Sequence, residues 1–212
     1  MMDYETLLAA AKQDPATADF TQLRLAFSRS SRYDPSDVHV LDEDDGLDAA
    51  LSAGDWREAR QLAESALARN YLRLHPHICA ALACCQLGDV PGARHHKAFV
   101  KGVLESILHS GDGRTPETAL RVIAVWEEYD VLRCLSLRCV EQALCRAGER
   151  VLDCLTVQTD EGSEPFDLYF DITIPMAAYA GPDGSPLRSP VRPTSSTGGP
   201  PLRTLKGPSP EG

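Results

Sequence analysis

Two octapeptides in the first half of the chain, AGDWREAR (Ala53 to Arg60) and LGDVPGAR (Leu87 to Arg94), are copies of one pattern. Gly54-Asp55 aligns with Gly88-Asp89, and Ala59-Arg60 with Ala93-Arg94, at a spacing of 34 residues. A repeat of this length is one supersecondary unit that cannot bury its apolar face alone, so its copies must stack. The residue types specify the local structure. Gly54 and Gly88 suit the position past a helix C-terminus, where φ is positive. Asp55 and Asp89 cap the helix that follows, whose first N–H groups lack intrahelical partners. Ala59 and Ala93 are small enough to let two helices approach closely.

Thirty-four residues is the tetratricopeptide period, one helix-turn-helix per repeat. The pattern predicts helices over Asp45 to Ala53, Trp56 to Asn70, His75 to Leu87 and Pro91 to His109, preceded by Tyr4 to Lys12 and Phe20 to Ser30. The second of the four carries Ala59, Leu62, Ala63, Ala66 and Leu67 on one face. The third is apolar nearly all round, with Ile78, Leu82 and Cys85, and is expected to be the buried one. Two repeats are fewer than a free-standing solenoid wants, so the helices are expected to lean on the rest of the chain.

Beyond Thr115 the period changes. Arg121 to Val125 is a short β-type run, Glu127 to Leu137 returns to helical spacing, and Cys139 to Cys145 reads as a strand. Arg150 to Thr159 and Phe166 to Ile174 alternate around the turn chemistry of TDEGSEP, which predicts a hairpin closed by Pro175. The expected fold is α+β: tetratricopeptide-like helical hairpins over 1–110, packed against a small C-terminal antiparallel sheet over 111–180 as one folded unit. From Gly181 onward the chain is Pro, Gly, Ser, Thr and Arg, a composition that cannot offset its ordering entropy, and 181–212 is expected to be a disordered tail. Pro190-Val191-Arg192-Pro193 within it has P-x-x-P spacing.

The net charge of -10 argues against nucleic acid and anionic membranes as partners, because phosphate binding rests on clustered Lys and Arg. The tail carries a net +2, so the body is more acidic still. No apolar h-region follows the acidic start Met1-Met2-Asp3-Tyr4-Glu5, and no window has the apolar length of a membrane span. Seven cysteines without a C-x-x-C pair then read as reduced thiols packed as small hydrophobes in a cytoplasmic protein.

Four stretches together resemble the mainly bacterial family called domain of unknown function 4919. They are DFTQLRLAFSRSSRYDP (Asp19 to Pro35), SILHSGDGRTPETA (Ser106 to Ala119), EEYDVL (Glu127 to Leu132) and LYFDITIP (Leu168 to Pro175). The resemblance spans roughly residues 3 to 178 and implies a tetratricopeptide-like helical part followed by a small αβ part. It carries no established activity, and neither the tail nor Trp126 belongs to its pattern.

Several constellations compete as sites. The run LDEDDGLD fails the EF-hand template: with Gly46 at position 6, Leu41 falls at position 1 and Ser52 at position 12. Its carboxylates suit the positive end of the helix that starts after them. His95 and His96 are adjacent and diverge on a helix, and no pair of histidines has i, i+4 spacing, so no metal or other cofactor is expected. Helices three and four, packed antiparallel, would bring His75 toward His95 or His96. A Cys84–His95 nucleophile is disfavoured because Cys84 falls on the buried helix, where a thiol is inert.

The loop SGDGRTPET lacks the lysine and spacing of a P-loop. Thr115-Pro116-Glu117 reads as the start of a short helix, with Gly111 and Gly113 at positive φ before it. Asp112 and Arg114 are expected in an ion-pair network with Glu128 or Arg133. Overall the sequence favours a non-enzymatic interaction module presenting Trp56, Arg60, Tyr71, Arg94 and Lys97 to a partner protein or peptide. The alternative is a ligand-binding or hydrolytic site at a helix/sheet junction, where Asp112, Arg114, Glu127 and Glu128 converge.

Overall fold

The computed structural model describes residues 2–35, 39–159, 161–179 and 203–204, with backbone alone at 39–42 and 203–204. Apart from those last two residues, the tail and its P-x-x-P segment lie outside the described residues. The chain divides into two compact units, Met1–His109 and Ser110–Gly212.

The first unit is helical: α1 Tyr4–Gln13, α2 Phe20–Phe27, α3 His39–Ser52, α4 Trp56–Arg69, α5 Leu74–Gln86 and α6 Val90–Leu108. The two repeats form equivalent hairpins. Gly54 and Gly88 have φ of +71° and +76°. Asp55 N–H donates to the Ala50 carbonyl at 3.0 Å, and Asp89 N–H to that of Cys84 at 2.8 Å. The Asp55 carboxylate then accepts from Glu58 N–H at 3.0 Å, and that of Asp89 from Gly92 N–H at 2.9 Å. Each hairpin is thus closed at the same positions, by a left-handed residue followed by a side-chain cap.

α5 packs between α4 and α6, and α3 packs on both α4 and α5. Where α3, α4 and α5 meet, most of the buried side chains are small: Ala50, Ala59 and Ala83 form one cluster, and Leu47, Ala63, Cys79 and Ala80 another. Alanine contacts bring helix axes close, which explains why the small residues of the repeat recur. α5 is mostly buried, but its far face is open at Leu82 and Cys85. A helix buried all round therefore overstates the case. α2 stops three residues short of expectation, at Phe27, because the Ser28 and Ser30 hydroxyls donate to the carbonyls of Leu25 and Phe27 and close turns instead.

α3 begins six residues earlier than its apolar pattern predicts, so the acidic run lies inside the helix rather than before it. Cations satisfy it. Arg73, only 2% exposed, meets Glu43 Oε2 at 2.6 Å and also pairs with Asp44, while Arg69 pairs with Glu43.

The second unit holds a mixed sheet in the order β1-β4-β3-β2-β5. Its strands are β1 Leu120–Arg121, β2 Leu137–Ala147, β3 Arg150–Thr159, β4 Phe166–Asp171 and β5 Arg203–Thr204, with helices α7 Val125–Cys134 and α8 Thr173–Tyr179. β2, β3 and β4 form the expected antiparallel meander, while β1 and β5 add parallel edges. β4 ends at Asp171, short of Ile174, because its carboxylate accepts from Thr173 N–H at 3.0 Å and starts α8. Pro175 then falls in the first turn of that helix, where its missing N–H costs nothing, rather than closing the strand. α7 packs on β2, and the core around it includes Leu152, Leu155, Val157, Phe170 and Val131.

Candidate functional site

The turn edge of the two hairpins exposes apolar side chains. Val90 is 63% exposed and Leu87 39%. A shallow groove of about 400 Å³ there is lined by Ala53, Gly54, Asp55, Trp56, Arg57 and Leu87. Trp56 and Val90 occupy the same position in successive repeats, as do Ala53 and Leu87. One residue class is thus presented twice along one edge.

The structure distributes the expected partner residues unevenly. Trp56 is partly exposed in the groove, and Arg94 and Lys97 are exposed on α6. Arg60 ties the hairpins together, meeting Glu64 at 2.8 Å and the cap residue Asp89 at 3.1 Å. Tyr71, partly exposed, is engaged by four neighbours. Its hydroxyl lies 3.0 Å from His95 Nε2, its ring lies edge-on to His77 and Phe99, and Lys12 sits 4.2 Å above its centroid. α6 carries Arg94, Lys97 and Lys101 against one acidic residue, Glu105, in a chain of net charge -10.

A histidine cluster lies behind this face. His77, fully buried, places Nε2 2.9 Å from the Tyr71 carbonyl and Nδ1 2.8 Å from His96 Nδ1. The carbonyl can only accept, so His77 Nε2 carries the proton and His77 Nδ1 accepts from His96. Burial drives both rings toward neutrality, His77 to about 3 and His96 to about 4. It is His77, not His75, that reaches the α6 histidines. His75 turns instead toward Asp48 and Cys79, a grouping that no histidine pair marks in the sequence. Its signal was present as His-x-x-x-Cys at i, i+4 on one helix.

The seven cysteines are free thiols. Cys84 is buried, and burial raises its pKa, in keeping with an inert thiol.

In the second unit the loop SGDGRTPET forms a closed turn, not a helix start. Gly113 N–H donates to the Thr118 carbonyl at 2.8 Å, and Thr118 N–H to that of Thr115 at 3.1 Å, so the chain folds back into β1. Gly113 has φ of +68°, but Gly111 serves by size: a Cβ there would stand 2.1 Å from the Thr118 carbonyl oxygen. Asp112 accepts from Arg114 N–H at 3.0 Å and from the Thr118 hydroxyl, bonds that lower its pKa. The Arg114 guanidinium lies 4.9 Å above the Phe166 ring. Turn chemistry and a cation–π contact thus occupy Asp112 and Arg114, in place of the expected ion-pair network with Glu128 or Arg133.

Glu127 and Glu128 are both fully buried on α7. Glu127 Oε2 accepts from Ile123 N–H at 2.8 Å, securing the entry to the helix. Among the described residues Glu128 has no hydrogen-bond partner on either oxygen. Burial first, then the charges of Asp153 and Glu127, hold its carboxyl well above the usual carboxylate range. Gln142 bridges the neighbourhood, accepting from the Tyr129 hydroxyl at 3.1 Å and donating to Asp153. Arg133 lies 4.0 Å from Asp130. Asp112 and Arg114 are therefore exposed on a loop while Glu127 and Glu128 are enclosed under the helix.

The model of the family described as Domain of unknown function (DUF4919) matches residues 2–180. The chain belongs to this family. No curated protein and no solved structure gives a match. Among the described residues no helix is long and apolar enough to cross a membrane.

Proposed function

We propose that this family member is a non-enzymatic interaction module that receives an acidic peptide carrying apolar side chains along the turn edge of its two hairpins. The observation that carries the reading is the repeated edge: Trp56 and Val90 at one repeat position, Ala53 and Leu87 at another, with exposed Arg57 in the groove and exposed Arg94 and Lys97 one and two turns along α6 from Val90. Exposed apolar groups in a row cost solvation unless a partner covers them. Cations on an otherwise acidic chain favour an acidic partner. The 34-residue spacing, which is the tetratricopeptide period, supports the same reading by analogy of architecture. Seven free thiols suit a reducing compartment such as the cytoplasm.

The test uses the full chain and an array of synthetic peptides that vary in acidity and apolar content, read by fluorescence anisotropy. Acidic peptides with a bulky apolar residue should bind, and Trp56→Ala and Arg94→Glu should each weaken them at least about tenfold. Added salt should weaken binding too. Equal binding of neutral and acidic peptides, or indifference to both substitutions, would exclude this edge.

A further inference from the structure

His75 and Cys79 stand four residues apart on α5, so their side chains share a face. Both are buried, at 3% and 0% exposure. Asp48 on α3 completes a trio: His75 Nε2 lies 3.1 Å from Asp48 Oδ1 and 3.5 Å from Cys79 Sγ. One ligand atom from each residue falls within 4.8 Å of the others. The Asp48 side chain remains 55% exposed, so the trio is open to solvent on one side.

We propose that Asp48, His75 and Cys79 bind a zinc-class divalent cation between α3 and α5. A thiolate, an imidazole and a carboxylate form the donor set of a borderline-soft ion, whereas calcium and magnesium favour all-oxygen sites. The spacing agrees. An ion about 2.3 Å from sulfur and about 2.05 Å from nitrogen, at a tetrahedral angle, sets those two atoms about 3.5 Å apart. The same geometry sets nitrogen and carboxylate oxygen about 3.3 Å apart. Cys79 Sγ is also 3.9 Å from His75 Nδ1, so the ring must rotate to aim Nε2 at the ion. Asp48, being exposed, can follow it. Three protein ligands leave a fourth position for water.

Binding is a proton exchange without redox change. Cys79 releases its thiol proton to solvent as the sulfur–metal bond forms, and His75 binds as neutral imidazole through unprotonated Nε2. The ion would tie the acidic helix of the first hairpin to the central helix of the second, so loading should raise thermal stability.

The test strips the full chain with a chelator and titrates it with zinc against a chromogenic competitor, then with cobalt as a spectroscopic probe. The expected result is one equivalent bound, a thiolate-to-cobalt charge-transfer band, and a higher Tm with zinc. Asp48→Asn, at an exposed position, and Cys79→Ser, nearly isosteric, should each weaken zinc at least about tenfold. Cys79→Ser should also abolish the band, whereas Cys85→Ser, on the exposed side of α5, should change nothing. Circular dichroism checks that each variant is folded. Absence of stoichiometric binding, or wild-type affinity in Asp48→Asn and Cys79→Ser, overturns the proposal.

Discussion

Arg73 and Glu43 meet at 2.6 Å, joining the residue before α5 to the N-terminal part of α3 through a guanidinium that is only 2% exposed. Removing one partner of a buried pair costs more than the pair itself contributes, and although Glu43 keeps Arg69, loss of Arg73 withdraws a buried guanidinium from Glu43 and Asp44 together. Arg73→Met should therefore destabilise the first unit by about 3 kcal/mol or more in urea unfolding. Glu5→Gln, which removes a pair between side chains 46% and 63% exposed, should change stability by less than about 0.5 kcal/mol. Comparable effects from the two would show that burial does not set the scale.

The two cap residues should not be equivalent, although the repeat writes them alike. Asp55→Ala removes one helix cap and should cost about 1 kcal/mol. Asp89→Ala removes the same cap and also the Arg60 contact between hairpins, so its loss should be larger. The comparison is read from urea midpoints. A greater loss at Asp55 would contradict the role given to Arg60.

Gly111 and Gly148 offer a second contrast. Ala at Gly148 meets nothing within 4 Å and suffers only the left-handed backbone, φ +63°, so Gly148→Ala should cost about 1 kcal/mol. At Gly111 the new methyl collides with backbone that cannot rotate away, and Gly111→Ala should cost about 3 kcal/mol. Thermal melts of the two variants decide it, and equal shifts would refute the packing argument.

Glu128 makes stability depend on pH with a definite sign. Its pKa is raised in the folded state, so the folded protein holds a proton that the unfolded chain releases. Its contribution is fully present below the ordinary carboxylate pKa and is lost as pH rises toward the folded value. Glu128→Gln carries no ionisable proton and should be more stable than wild type at neutral pH, with a gain that shrinks toward pH 4. Unfolding curves of both proteins across that range test this, and a gain independent of pH would rule it out.

Local rules carried the hairpins because their causes lie within a few residues. Gly54, Gly88, Asp55 and Asp89 act on the backbone beside them, so the turns were legible and their bonds repeat at the same positions. The β3–β4 hairpin was legible for the same reason: alternation on either side of a turn is a local signal. Where those rules failed, a distant partner had intervened. α3 reaches back to His39 with cations from the end of α4 and the start of α5 satisfying its carboxylates, and nothing within the acidic run announces Arg69 or Arg73. Thr115-Pro116-Glu117 has the chemistry of a helix start, yet Thr118 closes the loop and β1 pairs with β4, a strand some fifty residues away.

The candidate sites divide in the same way. That Trp56 and Val90, like Ala53 and Leu87, stand at equivalent positions follows from the period alone, because a repeat fixes which residues share an edge. Whether those side chains are open or enclosed depends on what packs over them, and only the tertiary structure decided that. It left the turn edge exposed, locked Tyr71 among aromatic rings, enclosed Glu128 without a partner among the described residues and brought Asp48 to His75 and Cys79. Spacing orders side chains along one element, while burial and ligation are set by chains that meet from far apart in sequence.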